Sequence, residues 1–502
     1  MRKKIYKLII AATLIIFSSC EGDLEPEIYN RLSPTNYPNT TEDYLTLVNN
    51  IYGQFRYNNS WYRYSCDPQS RMILGEIGTD ELYMPWEWAQ RPHATFDFNP
   101  GYDLFHNFYT RMVPSVTKAT YALALIEDSE LEEPLKSRLA AEVIACRAQW
   151  LYDLGSFYGP PPVVLDKEKA KNPEELYFPP RLSEEDYLDF VEKDIQYAMK
   201  HLPVKYAEAS EYGRYTKGAA ASILMKMYMQ HKRFEDAVAI SDSILTYGYD
   251  LVQDYKMIWD INNENNEEII FAITAPSKEH VNANLYRAHV LPADWVSLSG
   301  AKVVAYDGYR IPWSIYDKFD ENDGRLSTLV KDYHIMRNNV PTLIDGRQTG
   351  RLRQGAIPLK YGEDPASDGL FTGNDIVLIR YADILLLRAE ALNELFGPNQ
   401  ESIDLINLIR DRAFGADESK RVSLSMFADK QSLKDYILQE RQFELLFEGE
   451  RRADLIRHDK YIEFAHNRGV DNARPYHIRY PLPSFIIIEG QGNIMQNDGY
   501  NN

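Results

Sequence analysis

The chain has 502 residues, 74 of them acidic against 55 basic, for a formal net charge of −19 at pH 7. So acidic a surface excludes nucleic acid as a partner class, because phosphates reward clustered Lys and Arg and no basic run here is long enough. Apolar residues make up 44% of the chain and supply a large core, while 36 tyrosines offer rings with a hydroxyl, a combination enriched where proteins meet ligands.

In chain order, the first element is a targeting segment. Arg2, Lys3, Lys4 and Lys7 form a basic start, and LIIAATLIIF is an apolar run too short for a permanent bilayer helix. Small Ser18 and Ser19 then precede Cys20. The pattern looks like a bacterial lipoprotein signal: residues 1–19 are removed and Cys20 becomes the lipidated first residue. An ordinary cleaved signal is the alternative. Removal takes four positive charges and no negative ones, so the mature chain carries 51 − 74 = −23. The acidic, Pro-containing EGDLEPE that follows reads as the start of a solvated tether over 20–40.

Helical spacing begins at TEDYLTLVNNIYGQFRY (41–57), with Thr41 as N-cap. It resumes at YDLFHNFYTRMVPSVTKATYALALIEDS, where a break is expected near Pro114. LKSRLAAEVIACRAQWLYDLGSFYG is helical and stops at Gly159, and LSEEDYLDFVEKDIQYAMKHLP runs from an N-cap at Ser183 to a stop at Pro203. TKGAAASILMKMYMQHKRFEDAVAISDSILTYGYDL reads as two helices with a turn near His231–Phe234, small Gly218–Ala221 permitting close approach. This pair, and IRYADILLLRAEALNELFGPNQESIDLINLIRDRAF after it, look like tetratricopeptide units. Between them, 260–375 is loop-rich, with a strand signal in EEIIFAI. Cys66 and Cys146 are expected to be unpaired.

One stretch fits neither period. YMPWEWAQRPHATFDF (83–98) places Trp86 and Trp88 two apart between Pro85 and Pro92, with Glu87, Gln90 and Arg91 interleaved. An irregular, extended backbone there turns both indoles to one side, the arrangement a sugar ring needs for stacking. The alternative is that one or both indoles plug a gap between loop and scaffold. Trp295 in LPADWVSLSG is the candidate second wall, with Tyr83 and Tyr286 as further binding candidates.

Enzyme signals are poor. The chain has no nucleophile elbow, no phosphate loop and no zinc-protease helix motif, so no catalytic residue, cofactor or metal site is expected. DENDG (320–324) misses the spacing of a calcium loop by one residue and reads as a polar turn. In LKDYILQERQFELLFEGERRADLIRH, Glu440, Glu444 and Glu448 share a helix face, with Arg441, Arg451 and Arg452 near enough to pair with them. A partly buried ionic lattice that fixes helix packing is the expected role.

The ordered set AEVIACRAQWLYDLGSFYGPPPVV, IRYADILLLRAEALNELFG, INLIRDRAF, ERQFELLFEGERRADLIRH, YPLP and QNDGY resembles the SusD/RagB family of outer-membrane lipoproteins over nearly all the mature chain. Ala453 departs from the family, which often carries an aromatic there. The resemblance implies a single all-α domain over 41–502, built of tetratricopeptide-like helix pairs with loop-rich inserts and minor β structure. It also implies a non-enzymatic, lipid-anchored, cell-surface protein of the outer membrane. Such a protein captures glycans for a TonB-dependent (SusC-like) transporter. The alternative it leaves open is a non-catalytic subunit of a peptide or other nutrient importer of the RagB type.

Overall fold

Most of the long helices begin where a short polar side chain can satisfy the first free amides. The structure, a computed structural model, describes residues 37–56, 63–172, 177–276, 284–348 and 350–500. Cys20, the segment before it and most of the expected tether lie outside the described residues. By packing, the described residues from Leu45 onward form one unit.

The principal helices are α1 (Thr41–Tyr52), α2 (Glu87–Thr95), α3 (Asp103–Glu127), α4 (Leu135–Tyr158), α5 (Glu184–His201), α6 (Lys217–Gln230) and α7 (Phe234–Ile244). After these come α8 (Tyr286–Val290), α9 (Tyr381–Phe396), α10 (Gln400–Ala413), α11 (Lys430–Leu445) and α12 (Arg451–Arg457). Ser183 caps α5 by accepting from the Asp186 amide, Thr216 caps α6, Asn399 caps α10 and Asp429 caps α11. From α3 to α7 each helix packs on the next; α7 then packs on α9, and α9 on both α10 and α11. Leu385, Leu386, Ile406, Ile409, Leu433 and Ile437 form the core of that last group. The two expected helix pairs are therefore α6/α7 and α9/α10.

Pro114 does not break its helix: α3 runs through it. The ring removes only the amide that would bond the Thr110 carbonyl, and helix on both sides is held by burial of Phe108, Met112, Val116 and Ala119. Strands are short and lie within 269–380. Strand β1 (Ile269–Ile273) pairs with β7 (Ile376–Arg380), β2 (Ile311–Pro312) and β3 (Leu329–Val330) flank β6 (Gly355–Pro358), and β4 (Asp332–Arg337) forms a hairpin with β5 (Val340–Asp345). All of these pairs are antiparallel. Cys66 and Cys146 are free and buried.

The expected ionic lattice is present, but its pairs are not those within one helix. Helix α11 ends at Leu445, and the chain turns through Phe447 (φ 58°) and Gly449 (φ 79°), so Arg451 and Arg452 leave the glutamate face. Glycine is needed at 449: a Cβ there would lie 2.9 Å from the Met72 backbone, in a conformation L side chains avoid. Arg380 and Arg412 share Glu268 and Glu444, Arg325 joins Asp323 to Glu440, and Arg380 with Lys360 holds Glu448. Arg441 instead bonds Asp383 and Asp454, Arg451 bonds Asp80, and Arg452 donates to the Ser156 and Ile478 carbonyls. In the polar turn at 320–324, Asp323 accepts from the Arg325 amide, while Lys420 takes Asp320.

Candidate functional site

The aromatic stretch at 83–98 is not irregular throughout: Glu87–Thr95 form α2, with Pro92 inside it. Pro92 stands at the sixth helical position, where its ring costs one hydrogen bond to the Trp88 carbonyl in a helix of only nine residues. Trp86 is the extended residue at its N-cap and Trp88 lies in the first turn, so the two indoles do not share one side as an extended chain would impose. Trp88 is 54% exposed. Trp86 is half-buried, its ring edge-on to Tyr309 (5.1 Å, 90°) and His289 (5.9 Å, 86°). Gly308 makes room for it: a Cβ there would fall 1.7 Å from the His289 carbonyl and 3.0 Å from the Trp86 ring.

Tyr83, also half-buried, forms a two-way backbone bridge with Arg310, which ties the start of this stretch to the 306–310 turn. Arg310 is buried and stiffens that turn, donating to the Val290, Gly308 and Tyr309 carbonyls at 2.8–2.9 Å and to Asp307 at 2.9 Å. Beneath Trp86, His289 donates from Nδ1 to the Leu285 carbonyl, and its Nε2 faces the Asp67 carboxyl at 3.9 Å. Burial pushes the Asp67 carboxyl up to about 7 and the His289 imidazole down to about 4. At neutral pH the imidazole is therefore uncharged.

Trp295 is half-buried and stacks parallel to Tyr333 of β4, ring centroids 5.9 Å apart with 2° between planes. A charged chain links it to the Trp86 side. Asp307 binds Arg351 at 2.6 Å, Arg351 reaches Asp294 at 3.7 Å, and Asp294 accepts from the Tyr333 hydroxyl at 3.0 Å. The two expected walls are thus joined, through side chains 31–48% exposed. Tyr286 is not part of them. It is 1% exposed, with its ring against Tyr361 and Phe447, because the whole of α8 is buried. A ring without an exposed face cannot stack on a ligand, so Tyr286 is a core residue.

Two family models match the chain, one described as "Starch-binding associating with outer membrane" over residues 32–229 and one as "SusD family" over residues 347–479. The chain belongs to the SusD family. A SusD-like protein of Formosa agariphila is 27% identical over 91% of this chain and 91% of its own length. A SusD-like protein of Bacteroides ovatus is 24% identical over 91% of this chain and 82% of its own. Among solved structures, a SusD homolog from Bacteroides thetaiotaomicron superposes with a TM-score of 0.79 at 19% identity, covering 93% of this chain and 98% of that one. Surface glycan-binding protein A from the same organism, in complex with laminarihexaose, gives 0.74 at 17% identity, covering 91% and 99%. The fold is the all-α SusD-like one, with tetratricopeptide-like pairs and few strands.

Set against the SusD family models, Tyr83, Trp86 and Trp88 fall within a matched stretch, whereas Trp295, Asp307 and Tyr333 fall between the two. Sequence reasoning missed Tyr306, Asp307, Arg351, Asp294 and Tyr333. A signal for part of this set existed in AYDGYR, where tyrosines flank an Asp-Gly turn. Half-buried Tyr306 lies 5.2 Å from the His289 ring.

Proposed function

We propose that this protein is a non-catalytic, glycan-binding lipoprotein of the cell surface. It captures oligosaccharides or polysaccharides and delivers them to a TonB-dependent, SusC-like transporter in the outer membrane. The observation that carries the reading is Trp88: a large indole 54% exposed, two residues after the half-buried Trp86, whose ring packs on Tyr309 of a turn rich in hydrogen-bonding groups. C–H groups of a sugar stack on such rings, and its hydroxyls bond Asp307, Arg351 and Asp294, the groups that link that turn to Tyr333. The neighbours of like fold support it, since one is a glycan-binding protein holding laminarihexaose and another is a laminarin-binding SusD-like protein. The family description supports an association with the outer membrane. Cys20 supplies the lipid anchor, residues 20–40 the tether, and 41–502 a single binding domain.

A glycan array followed by affinity electrophoresis, on soluble protein lacking Cys20, tests binding. Retardation by at least one polysaccharide is expected, and its loss in Trp88→Ala. Equal retardation of variant and wild type moves the site elsewhere. Cys20→Ala is expected to leave the detergent phase on phase separation, and equal partitioning would remove the anchor. A pull-down from solubilised outer membrane is expected to recover a barrel transporter; recovering none would leave a free-standing binder.

A further inference from the structure

A cleft of about 440 Å³ opens in the helical scaffold, and none of its lining residues belongs to the Trp86–Trp295 surface. Its size is that of a small-ligand site. One wall is the loop joining α5 to α6, another the turn after α7, and the floor is β1. Four half-buried tyrosines line it: Tyr206, Tyr212, Tyr247 and Tyr249.

Three of these rings are held by their own hydroxyls. Tyr206 donates to the Tyr215 carbonyl at 3.1 Å, Tyr249 bonds the Thr216 hydroxyl at 3.2 Å, and Tyr212 accepts from the Asn265 amide at 3.4 Å. Thr216 in turn caps α6, so the loop is locked to the scaffold. Gly218 is what lets Tyr249 lie there, since a Cβ at that position would stand 2.3 Å from the hydroxyl. Here ring-orienting bonds are made and the cleft stays open.

Flat, fixed rings beside carboxylates and an amide fit a saccharide: the rings take its C–H faces and the polar groups its hydroxyls. The charged lining residues are Lys205 and Arg214 against Glu208, Glu211 and Glu267, a net of 2 − 3 = −1. Arg214 is already engaged by Glu142 at 2.7 Å. The cleft therefore disfavours uronates and sulfated sugars.

We propose that this cleft is a second carbohydrate site, for a short neutral saccharide, separate from the surface around Trp88. The inference rests on the glycan-binding reading for its ligand class. Saturation-transfer NMR with the methyl glycosides of glucose, galactose, mannose, xylose and rhamnose tests it, with methyl glucuronide as the charged probe. Measurements are made on wild type, on Trp88→Ala, and on Trp88→Ala combined with Tyr247→Ala or with Ala207→Arg. Tyr247 and Ala207 sit at the mouth of the cleft, and circular dichroism checks that each variant folds. Expected is a signal from a neutral glycoside that survives Trp88→Ala and falls at least about fivefold in both combined variants, through loss of a stacking ring in Tyr247→Ala and through blockage of the mouth in Ala207→Arg. A signal that vanishes in Trp88→Ala, one that ignores the cleft variants, or one given only by the glucuronide overturns the second site while leaving glycan binding in place. No signal from any glycoside with wild type overturns both.

Discussion

Trp86 and Trp88 stand two residues apart and carry different loads. Trp88, 54% exposed, has little to lose in stability and a whole ring face to offer. Trp88→Ala should weaken glycan binding by about 1–3 kcal/mol, the range for a lost stacking platform, with an unchanged melting temperature. Calorimetry and a thermal melt on the same preparation check both. Trp86 packs edge-on against Tyr309 and His289, so Trp86→Ala should lower stability by about 2 kcal/mol as well, a reduced form of the cost of emptying a full core site. Beneath it, Asp67 gives a pH signature. Its carboxyl, raised to about 7 by burial, keeps its proton longer in the folded than in the unfolded chain. Stability from this group is full below its unfolded value, about 4, and declines as pH rises through about 7. Asp67→Asn keeps an oxygen for the Gln69 amide and removes the ionisation. The variant should therefore gain more in melting temperature at pH 8 than at pH 5, and an equal gain at both would show that the carboxyl does not titrate there.

At the level of elements, the long amphipathic and capped segments were legible because each carries its own signals. Ser183 before Glu184–His201 and Gly159 after Leu135–Tyr158 fall where cap chemistry puts them. What was not legible depended on partners far along the chain. Pro92 and Pro114 both read as breaks, yet both sit inside helices, because burial of neighbouring side chains outweighs one missing hydrogen bond. The burial of Tyr286 is likewise set by Tyr361 and Phe447, which no local pattern around 286 reveals. The charged link between the two walls escaped notice because Asp294, Asp307 and Arg351 meet only in space. Close packing of α6, by contrast, is written in its small residues. Ala220 and Ala221 are fully buried where α6 meets α5 and α7, so Ala220→Leu or Ala221→Leu should cost roughly 1–3 kcal/mol by overpacking. Circular dichroism melts of the two variants measure it.

Across the whole molecule, Glu444 is a hub, touching Arg325, Arg380 and Arg412 from three distant segments. Those guanidinium groups hold its carboxyl well below the usual carboxylate range against the opposing effect of burial. The stability it lends is present above its unfolded value, about 4.3, and is lost as pH falls through the folded one. Glu444→Gln leaves buried cations short of charge and should lower stability by about 3–5 kcal/mol, read as a lower urea midpoint at pH 7. The gap between variant and wild type should narrow in acid. The bridge of Asp307, Arg351 and Asp294 works over a comparable span, since it links the turn that pairs with Tyr83 to Tyr333, on a strand more than two hundred positions after Trp88. A sugar laid across both walls therefore closes a loop in the polypeptide that the backbone leaves open. Amide exchange should slow at both Tyr83–Trp88 and Asp332–Arg337 when such a ligand is added, so a hydrogen-exchange footprint can recognise the right glycan in a crude mixture before its structure is known.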